Sequence, residues 1–274
     1  MHFLRVEWFD GKVTLMMESD NHRGGESGES RAGKSGKAED AMENITLVLM
    51  PGLDGSGVLF RPLLERLPSD LIPQVITYSV AEPLGYAELL PIVMAVLPAS
   101  GPFVILGESF SGPLALMVAA QRPSGLRGIV LCGTFVQNPL GPRWRWLRYL
   151  VSPWLFRWHS HLAEAKALLG GYGTPELWRR LREALSQISP AVLSHRVREV
   201  LQVDVRTELQ QCPVPVLDMR GTKDGVVRSQ NAREVRALRT DVEIADFQAP
   251  HLILQTQPAA TAKVIAEFVR NVIN

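Results

Sequence analysis

From Ile45 onward, short runs rich in Val, Ile and Leu alternate with longer stretches in which apolar residues recur at helical spacing. This rhythm predicts repeated strand, helix, strand units, the pattern of a parallel sheet covered by helices on both faces. Strands are expected at 45–50 (ITLVLM), 74–79 (QVITYS), 102–107 (PFVILG), 127–132 (RGIVLC), 214–219 (VPVLDM) and 241–246 (DVEIAD). Helical spacing falls at 58–67, 86–97, 112–121, 229–238 and 258–272. Between Gly133 and Pro213 helical patterns continue without a strand, and five of the six tryptophans fall there. The expected organisation is an α/β core at 45–134 and 213–274, a mostly parallel, doubly wound sheet, with a helical cap inserted at 135–212.

The first 44 residues behave differently. Residues 18–44 hold no Val, Leu or aromatic residue and are dense in Gly, Ser and charge. Such a segment cannot offset its ordering entropy by burial and reads as a flexible linker. Within it, 28–35 (GESRAGKS) matches the P-loop pattern letter for letter. A working P-loop needs a buried strand before it and a helix after it, because phosphates are held by backbone N–H groups at a helix N-terminus. Both are missing here. Met42 opens MENITLVLM, so residues 1–41 read as a leader outside the fold. The alternating stretches 3–9 and 13–17 leave open a hairpin that adds to a sheet edge.

Composition narrows the function classes. The chain has 274 residues, 46% hydrophobic, with a net charge of +1, so no global field recruits nucleic acid. Cys132 and Cys212 belong to no pair or cluster with metal-ligand spacing, and no apolar run reaches the roughly 18 to 20 residues that cross a bilayer. A reduced, cytoplasmic setting is expected, with no metal and no organic cofactor.

Residues 105–112 (ILGESFSG) carry the chemistry. PFVIL before them reads as a buried strand and SGPLALMVAAQ after them as a helix, so the motif sits at a strand-to-helix turn. A nucleophilic serine there needs small residues two before and two after it, because the chain turns tightly at a strained backbone. With Ser109 as nucleophile these neighbours are Gly107 and Ser111; with Ser111 they are Ser109 and Pro113. Pro113 is bulkier and rigid, which favours Ser109, with Ser111 as a tolerated replacement for the usual glycine.

On these residues, 45–274 resemble the α/β-hydrolase superfamily, of serine esterase type with a helical cap. The resemblance implies an oxyanion loop after the first strand, where 50–55 read MPGLDG: Pro51 replaces the usual histidine, Gly52 lets the backbone approach, and the N–H groups of Leu53 and Phe110 hold the oxyanion. Donors of this kind contribute about 3 to 4 kcal/mol each to the transition state. It further implies the order Ser, Asp/Glu, His. Asp224 follows the strand VPVLDM, with Asp218 as a rival inside that strand, and His251 follows VEIADF. The implied chemistry is ester cleavage through an acyl-enzyme, with Ser109, Asp224 and His251 as the triad. PGLDG followed by GES also looks like plastid enzymes that move acyl groups onto phytol or diacylglycerol, so acyl transfer or thioester cleavage is the alternative. A non-catalytic binding protein is a further one.

Weaker features remain. Asp54 and Glu108 flank the presumed catalytic groups and could shape leaving-group contacts or be structural. His159 and His161 are two apart, a poor spacing for a shared helical face, and His195 has no partner signal. Residues 141–158 hold four arginines, four tryptophans and no acid. They read either as a lid touching an acyl chain, a lipid interface or an acyl carrier, or as an amphipathic segment packed on its own domain. The expected partner is a small-molecule ester, without nucleic acid.

Overall fold

A computed structural model describes residues 2–9, 12–19, 45–157 and 168–273. Eight strands form one sheet in the order β2-β1-β4-β3-β5-β6-β7-β8: β1 (His2–Phe9), β2 (Lys12–Ser19), β3 (Ile45–Met50), β4 (Leu71–Ile76), β5 (Phe103–Glu108), β6 (Leu126–Cys132), β7 (Val216–Gly221) and β8 (Glu243–Phe247). Among the described strands of this sheet, only β1 and β2 pair antiparallel, and the other strand pairs are parallel.

Helices fill both faces. They are α1 (Arg61–Leu64), α2 (Tyr86–Val96), α3 (Ser111–Ala120), α4 (Pro153–Arg157), α5 (Pro175–Gln187), α6 (Pro190–Gln202), α7 (Arg206–Gln210), α8 (Ser229–Leu238), α9 (Ile253–Thr256) and α10 (Pro258–Ile273). Successive side chains of a strand point to opposite faces, so the central strands feed two cores at once. Val48, Met50 and Ile105 join Leu89, Val93 and Leu114 on one face. Leu47, Leu49 and Leu106 join Leu63, Ile265 and Phe268 on the other.

The expected elements stand close to their predicted positions, with one slip. The strand expected at 74–79 lies at Leu71–Ile76, because after Ile76 the chain leaves the sheet: Tyr78 N–H turns to the Gly55 carbonyl at 2.7 Å. At the N-terminus the hairpin is what forms. Leu4, Arg5 and Val6 of β1 pair with Gln74, Val75 and Ile76 of β4, so His2–Phe9 and Lys12–Ser19, which fall in the stretch expected as a leader, join the sheet edge. Of the linker expected at 18–44, residues 18 and 19 end β2, whereas 20–44, with the P-loop match, and His159 and His161 lie outside the described residues.

Between β6 and β7 the described residues hold helices joined by turns and loops and no strand, including a 3-10 segment at Pro142–Tyr149. There α5 and the start of α6 pack Leu177, Leu181, Leu185 and Val192 around Leu59 and Leu252. Those two residues follow the β3 loop and His251, so the insertion rests on the loops that carry the candidate site. No helix among the described residues is long and apolar enough to cross a membrane.

Candidate active site

The strand order reverses at β3. The chain steps from β3 to β4 on one side and returns to β5 on the other, which opens a crevice at the strands' C-terminal ends. Met50 pairs with Gly107, so the loop after β3 and the turn after β5 leave the sheet side by side.

Ser109 sits in that turn with φ of 50°, one of two non-glycine residues at positive φ among the described residues. Such a conformation costs roughly 1 to 3 kcal/mol and persists only where neighbours over-determine it. Here Ser109 N–H donates to the Cys132 carbonyl at 2.9 Å, and its own carbonyl accepts from Thr134 Oγ1 at 2.5 Å and from Gly112 N–H at 3.1 Å. The tight turn explains the small neighbours. A Cβ on Gly107 would stand 2.6 Å from the Ser111 carbonyl oxygen, and one on Gly112 would stand 2.1 Å from Thr134 Oγ1.

Ser109 Oγ lies 2.9 Å from His251 Nε2, and His251 Nδ1 lies 2.8 Å from Asp224 Oδ2. The His251 and Asp224 side chains are almost fully buried. Asp224 is fixed by its other oxygen, which accepts from Val226 and Val227 N–H at 2.8 and 2.9 Å. The His251 loop crosses close over the end of β7: a Cβ at Gly221 would stand 2.4 Å from the Pro250 carbonyl oxygen, and Lys223 N–H donates to the Ala249 carbonyl. Three residues from three loops thus form one hydrogen-bonded chain. The rival Asp218 stays inside β7, buried, with Oδ2 unpartnered and 4.0 Å from Arg220 Nε; burial pushes its carboxyl up to about 7.

Opposite Ser109, Gly52 and Gly55 close a turn through Gly55 N–H to the Gly52 carbonyl at 3.1 Å, and a Cβ on Gly52 would lie 3.7 Å from Ser109 Cβ. Among the described residues, neither Leu53 N–H nor Phe110 N–H finds an acceptor. The carbonyls around them are all held. Pro51 accepts from Ser111 Oγ, Leu53 from Arg196 Nη1 at 2.7 Å, Ser109 from Thr134, and Phe110 from the Tyr86 hydroxyl at 2.9 Å. Ser111 spends its one proton on Pro51, so the Tyr78 hydroxyl, 2.7 Å away, donates to Ser111. The serine that replaces the glycine is therefore a buried hydrogen-bonding link and not a mere spacer. Sequence reasoning missed Tyr78, Tyr86, Thr134 and Arg196, because each reaches its partner across at least 24 residues of chain and leaves no local pattern.

The flanking acids are structural in their contacts. Asp54 accepts from the Ser56 N–H and hydroxyl. Glu108 is buried, and its Oε1 accepts from Gln255 Nε2 at 2.8 Å; burial pushes its carboxyl up to about 7, with the Gln255 bond opposing. No group of three or more His, Cys, Asp or Glu side chains suited to a metal ion occurs among the described residues.

Three tryptophans of the insertion do not fill a core. Trp144, Trp146 and Trp154 are 49%, 52% and 65% exposed, and the whole Pro142–Tyr149 segment contains no buried residue. Trp178 alone among the described tryptophans of this stretch packs against a core cluster.

A serine held at a strand-to-helix turn, within reach of a histidine from the last loop, on a sheet of this order defines a hydrolase architecture, and residues 47–264 match the alpha/beta hydrolase family model. The chain belongs to that family. It is 23% identical over 229 residues to a pimeloyl-[acyl-carrier protein] methyl ester esterase of Aliivibrio salmonicida (strain LFI1238), covering 76% of this chain and 86% of that protein. In fold it is similar to a hydrolase from Oleispira antarctica, with a TM-score of 0.71 at 15% identity, 84% of this chain and 92% of that one being covered. A thermophilic esterase from Thermogutta terrifontis gives 0.68 at 19% identity, with 83% and 89% covered.

Proposed function

We propose that the protein is a serine carboxylesterase. The observation that carries this reading is the chain Ser109 Oγ, His251, Asp224 at 2.9 and 2.8 Å, with Ser109 at positive φ. His251 Nε2 takes the Ser109 proton as Oγ bonds to the ester carbonyl carbon. Asp224 holds the Nδ1 proton, which selects the productive tautomer and favours the imidazolium. The carbonyl oxygen becomes an oxyanion between Leu53 N–H and Phe110 N–H. Collapse expels the alkoxide, which receives the proton from His251; water, activated by the same histidine, then cleaves the acyl-enzyme and restores Ser109.

Purified protein is expected to hydrolyse short p-nitrophenyl esters and to be labelled by a fluorophosphonate, both lost in Ser109→Ala. Absence of both in the wild type refutes the reading. An ester product that depends on added alcohol and exceeds hydrolysis would favour acyl transfer instead, and thioester cleavage in preference to oxygen esters would favour a thioesterase.

The partner reading rests on the exposed aromatic segment. Trp144, Trp146, Tyr149, Leu150 and Trp154 are exposed beside Arg143, Arg145, Arg148 and Arg157. Arginines with no acid among them suit an anionic partner, while the rings supply apolar contact. An acyl carrier bearing the ester is favoured by the Aliivibrio relative, whose name specifies such a substrate. Faster turnover of a carrier-bound methyl ester than of the free methyl ester, lost when Arg143 and Arg145 become Glu, is the expected result; binding to anionic vesicles with no carrier preference would assign the face to a lipid surface.

A further inference from the structure

Arg196 is the largest fully buried side chain among the described residues, and it projects from the inserted helix α6 into the space behind the β3 loop. Its Nη1 donates to the Leu53 carbonyl at 2.7 Å and its Nη2 to the Ser79 carbonyl at 2.8 Å, while Nε has no partner. The guanidinium carbon lies 5.6 Å from the Tyr78 ring centroid and 5.8 Å from that of Phe110. None of these hydrogen bonds goes to a carboxylate. Asp54 is near enough to favour the charge, but its carboxylate is engaged by Ser56. Gly55 makes room: a Cβ there would stand 2.6 Å from Nη1.

A buried cation with no bonded counter-ion is a poor way to stabilise a fold, since an apolar side chain of the same volume would avoid its desolvation. The geometry accounts for it differently. Leu53 and Ser79 lie on the loops after β3 and β4, and the guanidinium fork bridges the two carbonyls. With its carbonyl held on one side and the Gly52–Gly55 turn closed on the other, Leu53 has little freedom to rotate its N–H away from Ser109. The charge itself sits against the Phe110 ring, beside the region where negative charge would develop.

We propose that Arg196 is a positioning residue for the oxyanion loop, and that it makes the loop's geometry depend on the seating of the inserted helix α6. This inference rests on the serine esterase reading. Burial lowers the guanidinium only to about 10, so the side chain stays charged at neutral pH. Glu199, one turn further along α6, ties the same helix to the core by accepting from Tyr86 N–H at 3.2 Å. Tyr86 in turn donates to the Phe110 carbonyl and stacks on its ring, so both proposed oxyanion residues are braced through groups that contact α6.

The test compares Arg196→Met and Arg196→Lys with wild type for kcat and KM on a p-nitrophenyl ester, for the rate of fluorophosphonate labelling, and for Tm. In Arg196→Met, kcat and the labelling rate are expected to fall about 10- to 100-fold with KM within about twofold, somewhat less than the loss of an oxyanion donor itself. Arg196→Lys, which keeps the charge and can reach one carbonyl, is expected to recover part of kcat. A Met variant with wild-type kcat, or a loss confined to KM, overturns the proposal. If the Met variant does not fold, the Lys variant decides: an intermediate kcat at unchanged KM supports the role, and full wild-type kcat refutes it. Wild-type protein that neither cleaves esters nor is labelled would show that the esterase reading itself has failed, and the inference would fall with it.

Discussion

The Ser111 hydroxyl donates to the Pro51 carbonyl and so ties the turn after β5 to the loop after β3 through a single buried side chain. Both loops leave neighbouring parallel strands, and the bond holds their separation beside Ser109 and Leu53, the proposed nucleophile and oxyanion donor.

Replacing Ser111 with Ala leaves the Pro51 carbonyl and the Tyr78 hydroxyl without this partner in a buried position. The expected cost is about 1 to 3 kcal/mol of stability, read from denaturant unfolding. Ester hydrolysis should be weakened but present, and Ser109 should still be labelled by a fluorophosphonate. Activity that survives Ser109→Ala and disappears in Ser111→Ala would reverse the assignment of the nucleophile.

Asp224 and Asp218 are two carboxylates with opposite surroundings. Asp224 contacts His251 at 2.8 Å and accepts two backbone N–H groups, whereas Asp218 is buried in β7 without a hydrogen bond to Oδ2. Asp224→Asn should lower kcat by about 10³- to 10⁴-fold while the protein stays folded, because the amide no longer stabilises the imidazolium. Asp218→Asn should leave kcat within about threefold. Steady-state kinetics of the two variants distinguishes them, and equal losses would contradict the assignment.

Glu108 gives stability a defined pH dependence. Its carboxyl ionises near 4.5 when exposed and is pushed to about 7 by burial, so between these values the native state holds a proton that the unfolded chain releases. Stability therefore falls as pH rises through that window, by up to about 3 kcal/mol from this group. In Glu108→Gln, thermal unfolding measured from pH 5 to 8 should show a shallower fall in Tm than wild type. An unchanged slope would assign the dependence to another group, with Asp218, also raised to about 7, as the next to test.

Much of the architecture was legible because buried parallel strands need continuous apolar runs and covering helices need apolar residues at 3.6 spacing. ITLVLM, PFVIL and RGIVLC announce central strands for that reason, and 86–97 and 258–272 announce helices. The strand at Leu71–Ile76 was misplaced since VITYS is as apolar as a strand, yet Tyr78 spends its N–H on Gly55 and ends the ladder. The hairpin at the N-terminus was open on alternation alone, because an edge is settled by which strand lies next to it.

By itself, then, the sequence determined the strand and helix order, the strand-to-helix turn at Ser109 and the loop positions of Asp224 and His251, all of which follow from local periodicity and from the small residues a tight turn demands. Only the tertiary structure decided that Asp224 rather than Asp218 meets His251, that Ser111 is a hydrogen-bonding link, and that Arg196, Tyr86 and Thr134 clamp the carbonyls of Leu53, Phe110 and Ser109. Those contacts join residues far apart in the chain, and the strand order that brings them together is set by packing on both faces of the sheet, which no short stretch of residues encodes.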